Sequence, residues 1–109
     1  MINESISRLL RENQQQLLRE RKSVGRKHFV RPVSVGMGRY QDVKLDAFSK
    51  DLSPNSIGLI CDMAVSVGTI ATLEIHSISN RPVRIRSELR SSNAMGSGWY
   101  STNWHFLEI

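Results

Sequence analysis

The sequence predicts an all-β fold, namely a six-stranded antiparallel β-barrel preceded by an N-terminal α-helix. Polar and apolar residues alternate over several short segments, and turn-forming residues separate these segments at intervals of about 8–12 residues. Helices do not alternate with the strands, which excludes a parallel-sheet nucleotide fold. A barrel is preferred to a sandwich because closure removes exposed strand edges.

The N-terminal helix is expected over residues 4–21. Its apolar residues follow the spacing of an amphipathic helix, and neither glycine nor proline interrupts it. Ile6, Leu10, Asn13 and Leu17 form a short heptad seam. Three arrangements are open: a helix paired with another helix, a helix lying on its own domain, and a helix that stays frayed until something binds.

A joint at residues 23–25 (Ser-Val-Gly) ends the helix. The expected organisation is therefore an N-terminal helical extension over residues 1–22 and a single β-barrel domain over residues 23–109. A chain of 109 residues has room for only one such domain, with a core that needs no metal or disulfide.

Six strands are expected after this joint. The first begins at Phe29 and ends in the Gly-Met-Gly turn at 36–38, and the others cover residues 42–48, 57–63, 69–77, 83–90 and 99–109. Residues 42–48 alternate and predict one solvated face, whereas residues 57–63 are apolar except for Asp62 and predict burial on both faces. A turn is expected at residues 49–56 and a Ser/Asn/Gly loop at 91–98.

The residue content argues against catalysis and metal binding. Cys61 is the only cysteine, which excludes an internal disulfide and a cysteine-based zinc site and predicts a buried, inert thiol. His28, His76 and His105 lack metal-ligand spacing. There is no phosphate-binding loop, nucleophile elbow or marked carboxylate pair. The chain is therefore expected not to be an enzyme and to need no cofactor.

No apolar stretch approaches the roughly 20 residues that span a bilayer, and the N-terminus has no signal-peptide core. The expected location is the cytoplasm. The net charge of +5, concentrated in residues 8–31, points to an anionic partner. Single-stranded nucleic acid is disfavoured because the aromatic residues cluster near the C-terminus and do not interleave with the basic ones.

Two short segments carry the chemistry for holding a phosphorylated purine. Residues 26–31 (Arg-Lys-His-Phe-Val-Arg), here called the cationic segment, supply guanidinium and ammonium groups at the start of the first strand. Residues 51–56 (Asp-Leu-Ser-Pro-Asn-Ser), here called the Asp-Ser segment, supply a carboxylate, hydroxyls and backbone N–H groups. Alone, Asp51 and Ser53 would predict a turn that bonds only its own backbone. The upstream arginines favour a shared ligand site.

Together the two segments resemble the paired motifs of the PilZ family. Members are small six-stranded β-barrels, and many are receptors for the bacterial second messenger cyclic di-GMP. The family pattern is R-x-x-x-R before the first strand and [D/N]-x-S-x-x-G between the second and third. The resemblance covers about residues 22–109. Two positions depart from it: Lys27 replaces the first arginine, with Arg26 beside it, and Ser56 replaces the closing glycine.

The resemblance implies a cyclic di-GMP receptor that acts as an adaptor, without a metal. The residues expected to bind the nucleotide are Arg26, Lys27, Arg31, Asp51, Ser53, Asn55 and Ser56. Binding is expected to order the joint at 23–25 and to move the helix, which signals to a downstream protein partner in motility or biofilm regulation. A homodimer through the helix is also open. Lys27 and Ser56 favour an alternative, a degenerate PilZ-like interaction module that binds no nucleotide.

Overall fold

The computed structural model describes residues 5–10, 27–38, 43–77 and 81–107. Residues 5–10 form the helix α1. The rest of the expected helix and the joint at 23–25 lie outside the described residues. The strands are β1 (Lys27–His28), β2 (Pro32–Met37), β3 (Val43–Leu52), β4 (Ser56–Cys61), β5 (Ile70–Ile75), β6 (Val83–Gly96) and β7 (Trp99–Phe106).

Six of these strands close into an antiparallel barrel, which confirms the predicted fold. Around the barrel the order is β2, β3, β4, β7, β6 and β5, and β5 pairs with β2 again. The short strand β1 adds to the last residues of β3. Within the described residues, no helix combines the length and the apolar character needed to cross a membrane.

Strand β3 is longer than predicted. It passes through the expected turn and ends at Leu52, with an irregularity in its pairing between Ser49 and Asp51. The first half of β3 pairs with β2, and the second half pairs with β4 and β1. A bulge bends a strand and increases its twist. Here the bend lets β3 continue past Ser49 and pair with β1 after it has left β2. The predicted turn at 49–56 was therefore wrong at residues 49–52, and also at Ser56, which begins β4.

Strand β6 is also longer, because it continues to Gly96. It pairs with β7 from Ser87 to Gly96, with irregularities between Leu89 and Ser91 and between Ala94 and Gly96. The predicted loop at 91–98 was wrong, since most of it belongs to a two-stranded ribbon that turns at Ser97 and Gly98, both with positive φ. Polar residues of low strand propensity are held there by pairing with β7. Such context commonly overrides strand propensity.

The barrel interior is apolar, and its largest fully buried side chain is Trp104. The Trp104 indole N–H donates to Thr102 Oγ1 at 3.0 Å, and the Thr102 hydroxyl donates to the Leu59 carbonyl at 2.9 Å. Cys61 is buried as predicted. These contacts satisfy polar groups that would otherwise be costly in the core.

Helix α1 closes one end of the barrel, which we call the helix end. Ile6 and Leu9 are completely buried in the core, and the Arg8 guanidinium donates to the Arg81 carbonyl at 3.1 Å. Of the three arrangements left open by the sequence, residues 5–10 adopt the one in which the helix lies on its own domain. Strands β3 and β7 finish at this same end of the barrel, at Leu52 and Phe106. The β6–β7 ribbon extends from the opposite end, which we call the ribbon end.

Candidate functional site

The cationic segment and the Asp-Ser segment are neighbours in the structure. In the β1–β3 pairing, Lys27 lies opposite Leu52 and His28 lies opposite Asp51. The Phe29 N–H continues the contact and donates to the Lys50 carbonyl at 3.2 Å. The barrel therefore brings the backbones of the two segments together, whereas a ligand site shared by them stays a prediction. Arg26 lies outside the described residues.

A buried serine fastens the cationic segment to β3. The Arg31 N–H donates to Ser49 Oγ at 2.8 Å, and the Ser49 hydroxyl donates to the Phe29 carbonyl. The Ser49 N–H in turn donates to the Arg31 carbonyl at 2.9 Å. Ser49 was not predicted as a site residue. Its position was nonetheless readable, because it continues the inward-facing alternation of Leu45 and Ala47.

The Arg31 side chain is only 8% exposed. Its guanidinium carbon lies 4.7 Å from the centre of the Phe29 ring, and Nη1 donates to the Val30 carbonyl at 2.8 Å. A ligand phosphate would reach the guanidinium fork only after the side chain leaves both the Phe29 ring and the Val30 carbonyl. The cation–π contact contributes about 0.5–2 kcal/mol, and a hydrogen bond from a charged group contributes about 1.5–3 kcal/mol. Hydrogen bonds to the phosphate would have to offset both losses.

The Asp51 carboxylate lies across the backbone of Gly58, its partner on β4. A β-carbon built at residue 58 would collide with Asp51 Oδ1 and would lie 3.0 Å from Lys50 Cε. The Lys50 ammonium is 3.5 Å from Asp51 Oδ2, and the Asp51 side chain keeps 22% of its surface exposed. Gly58 was not predicted as a site residue. The available signal was a lone glycine inside an apolar strand, which often marks a close approach.

The Asp-Ser segment ends in a tight hairpin turn with Pro54 and Asn55 at its tip. The Ser53 N–H donates to the Ser56 carbonyl at 2.9 Å. Ser53 Oγ lies 3.2 Å from Asn55 Oδ1 and 3.0 Å from Ser56 Oγ. The Asn55 carbonyl accepts the Phe106 N–H at 2.9 Å, which ties the tip to β7. These contacts of the Ser53 hydroxyl are local, as in a turn that bonds its own residues.

Ser56 is the first residue of β4 and is buried, with 6% of its surface exposed. Among the described residues other than glycine, only Ser97 has a positive φ. Ser56 therefore occupies its position without the backbone strain that would require glycine. In the structure, the Ser56 hydroxyl contacts the Ser53 hydroxyl within the turn.

An exposed apolar patch adjoins the site on the outer face of the barrel. Phe48 is 54% exposed, and it lies opposite Pro32 on β2 and Ile60 on β4. In the neighbouring register row, Gly58 lies between Asp51 and Asn103. Neither Phe48 nor Asn103 was predicted as a site residue. Phe48 follows Ala47, and two consecutive apolar residues in a strand require one of them to face outward.

In the described ranges, no cluster of three or more His, Cys, Asp or Glu side chains could hold a metal ion. Burial raises the pKa of the Cys61 thiol, and the nearby Asp62 carboxylate adds to the rise. The hydrogen bond with Thr102, with Sγ and Oγ1 3.7 Å apart, opposes it. A thiol with a raised pKa is a poor nucleophile, which agrees with a structural role.

No protein-family model matches the sequence, and the search of curated proteins found no match. The functional assignment therefore depends on the chemistry of the site and on the motif resemblance.

Proposed function

We propose that the chain is a cytoplasmic, single-domain receptor for cyclic di-GMP that signals to a partner protein. The observation that carries the proposal is the pairing of β1 with the end of β3, which sets the backbone of Lys27 and His28 beside Leu52 and Asp51. Arginine, lysine and carboxylate groups on adjacent backbones are suited to a ligand that combines phosphates with guanine bases.

Each group has a distinct task in this proposal. The Asp51 carboxylate, seated on Gly58, accepts hydrogen bonds from the guanine N1 and N2 edge. Arg31 leaves the Phe29 ring and binds phosphate oxygens in a bidentate manner. Arg26 and Lys27 add positive charge. The turn formed by Ser53, Asn55 and Ser56 supplies hydroxyl and backbone donors.

The N-terminal segment is the proposed signal output. In the structure, Ile6 and Leu9 are buried at the helix end of the barrel, where the candidate site also lies. Movement of Arg31 alters the chain just after the joint at 23–25 and thereby changes how the extension packs. Hydrogen exchange over residues 15–32, with and without cyclic di-GMP, tests this. Unchanged exchange upon saturating binding would contradict it.

A second candidate function is an interaction module that binds no nucleotide. The exposed Phe48, between Pro32 and Ile60, favours it because exposed apolar patches often mark docking surfaces. The local contacts of the Ser53 hydroxyl and the burial of Arg31 also agree with it. In this alternative the two motif segments serve only to stabilise the barrel.

Calorimetric titration with cyclic di-GMP separates the two candidates. The receptor predicts binding to the wild type and at least a roughly tenfold weaker affinity for Arg31→Ala and for Asp51→Ala, which corresponds to about 1.4 kcal/mol. Arg84→Ala is the matched control, because Arg84 is exposed on another face and pairs with Glu74. No heat at high micromolar ligand, from a folded wild type, would support the interaction module instead.

A further inference from the structure

The last part of β6 carries an open strand edge. Strand β5 pairs with β6 only as far as Ile70 and Glu88. The ladder ends where the Gly68 N–H donates to the Leu89 carbonyl and the Leu89 N–H donates to the Thr69 carbonyl. Beyond that point β6 continues to Gly96. Within the described part of the chain, residues 91–96 pair with β7 alone. The other edge of this ribbon therefore presents backbone donors and acceptors at the ribbon end of the barrel.

This edge lacks two of the features that usually protect strand edges. Exposed edges are commonly blocked by charged residues, proline or bulges. Residues 91–103, which form most of the ribbon, contain no charged residue and no proline. The pairing with β7 is irregular between Leu89 and Ser91 and between Ala94 and Gly96, and it is regular from Ser91 to Ala94. Two large apolar side chains near the tip are exposed, Met95 at 58% and Trp99 at 43%. An uncharged edge with apolar side chains is suited to pairing with another strand.

We infer that this edge, residues 91–96 of β6, is a dimer interface that pairs antiparallel with the same residues of a second copy. A two-fold axis makes such an interface self-complementary. If residue i of one copy pairs with residue j of the other, then residue j of the first copy pairs with residue i of the second. The absence of charge matters here, because a chain of net charge +5 is repelled by its own copy at charged surfaces. The ribbon is a stretch where that repulsion is locally absent.

The position of the ribbon makes the interface independent of the proposed nucleotide site. The candidate site and helix α1 lie at the helix end of the barrel, and the ribbon leaves the opposite end. Pairing of two ribbons therefore leaves the cationic segment and the Asp-Ser segment of both copies accessible. It also orders Met95 and Trp99, which are exposed in a single copy.

The first test measures the mass of the full chain by sedimentation equilibrium over a range of concentrations. We expect a dimer for the wild type and at least a tenfold weaker association for Met95→Lys, since lysine at an edge disfavours pairing. Met63→Lys is the matched control, because Met63 is also exposed, at 41%, but lies outside the ribbon. A wild type that stays monomeric at several hundred micromolar would overturn the inference, as would equal weakening by both variants.

The second test locates the interface directly. If residues 91–96 pair with the same residues of a second copy, residue 93 of one copy lies directly opposite residue 94 of the other. An equimolar mixture of Asn93→Cys and Ala94→Cys therefore places two thiols opposite each other, and Cys61 is buried and does not compete. In the presence of diamide, which accepts the two electrons and two protons released by the paired thiols, this mixture should form disulfide-linked dimers. Ser66→Cys, on the exposed loop before β5, should not. Equal cross-linking of the mixture and of Ser66→Cys would contradict the proposed pairing.

Discussion

Asp51 on β3 and Gly58 on β4 are opposite partners, and the Asp51 carboxylate occupies the space into which a β-carbon of residue 58 would project. The missing side chain of a core-strand glycine therefore creates the seat for the acidic group of the candidate site. Because the colliding atoms belong to the ends of flexible side chains, the seat can be removed without rebuilding the barrel.

Gly58→Ala is predicted to weaken ligand binding while leaving the fold intact. The added methyl group displaces the Asp51 carboxylate, and at least a tenfold loss of cyclic di-GMP affinity is expected by calorimetry. The free energy of unfolding should change by about 1 kcal/mol or less, because alanine is well tolerated in a strand when φ is negative. A variant that binds as tightly as the wild type would show that Asp51 does not need this seat.

Ser49→Ala is predicted to loosen the cationic segment. Loss of the hydroxyl leaves the buried Arg31 N–H and Phe29 carbonyl without this partner, which costs about 1–3 kcal/mol of the free energy of unfolding. Urea denaturation measures the loss, and faster amide exchange at residues 29–31 locates it. Ser66→Ala, at an exposed loop position, should stay within about 0.5 kcal/mol of the wild type. Equal effects of the two variants would contradict this role.

Thr102→Val is predicted to destabilise the core. Valine matches the shape of threonine but cannot accept the Trp104 indole N–H or donate to the Leu59 carbonyl. Two buried polar groups then lose a partner, and we expect a loss of about 1–3 kcal/mol in urea unfolding followed by tryptophan fluorescence. Thr102→Ser keeps the hydroxyl and should lose less. If serine is the more damaging substitution, packing of the methyl group outweighs the hydrogen bonds.

The raised pKa of Cys61 predicts a specific dependence of stability on pH. In the unfolded chain the thiol ionises at its ordinary pKa, whereas burial keeps the folded thiol protonated to higher pH. The folded state then binds more protons between these two pKa values, so its stability falls as the pH rises through that window. From pH 7 to pH 10, the wild type should therefore lose more free energy of unfolding than Cys61→Ala. Equal losses would contradict the burial argument.

The barrel itself was predictable from the sequence because alternation and turn residues define its strands locally. The strands that were misjudged, β3 and β6, extend through residues whose local preference favours a turn or loop. In β3 a bulge allows the strand to continue past Ser49, and in β6 the pairing with β7 holds polar residues in a ribbon. Both effects arise from partners distant in sequence, so a local pattern does not contain them.

The candidate site was predictable only in part. The neighbouring positions of the two motif segments followed from their order along the strands. Three other contacts depend on which residues lie opposite each other across strands. They are the stacking of Arg31 on the Phe29 ring, the placement of the Asp51 carboxylate over Gly58, and the hydrogen bond from the Arg31 N–H to Ser49 Oγ. Sequence spacing alone carries no information about such contacts, although the lone glycine and the paired apolar residues Ala47 and Phe48 were readable hints.

The most direct test of the central claim is an NMR titration of the full chain with cyclic di-GMP. If the cationic segment and the Asp-Ser segment form one binding site, the amide signals of residues 27–31 and 51–58 should shift together and follow a single dissociation constant. The ribbon signals of residues 91–99 should shift little. An absence of shifts at high micromolar ligand, or shifts confined to one segment or to the ribbon, would contradict the account.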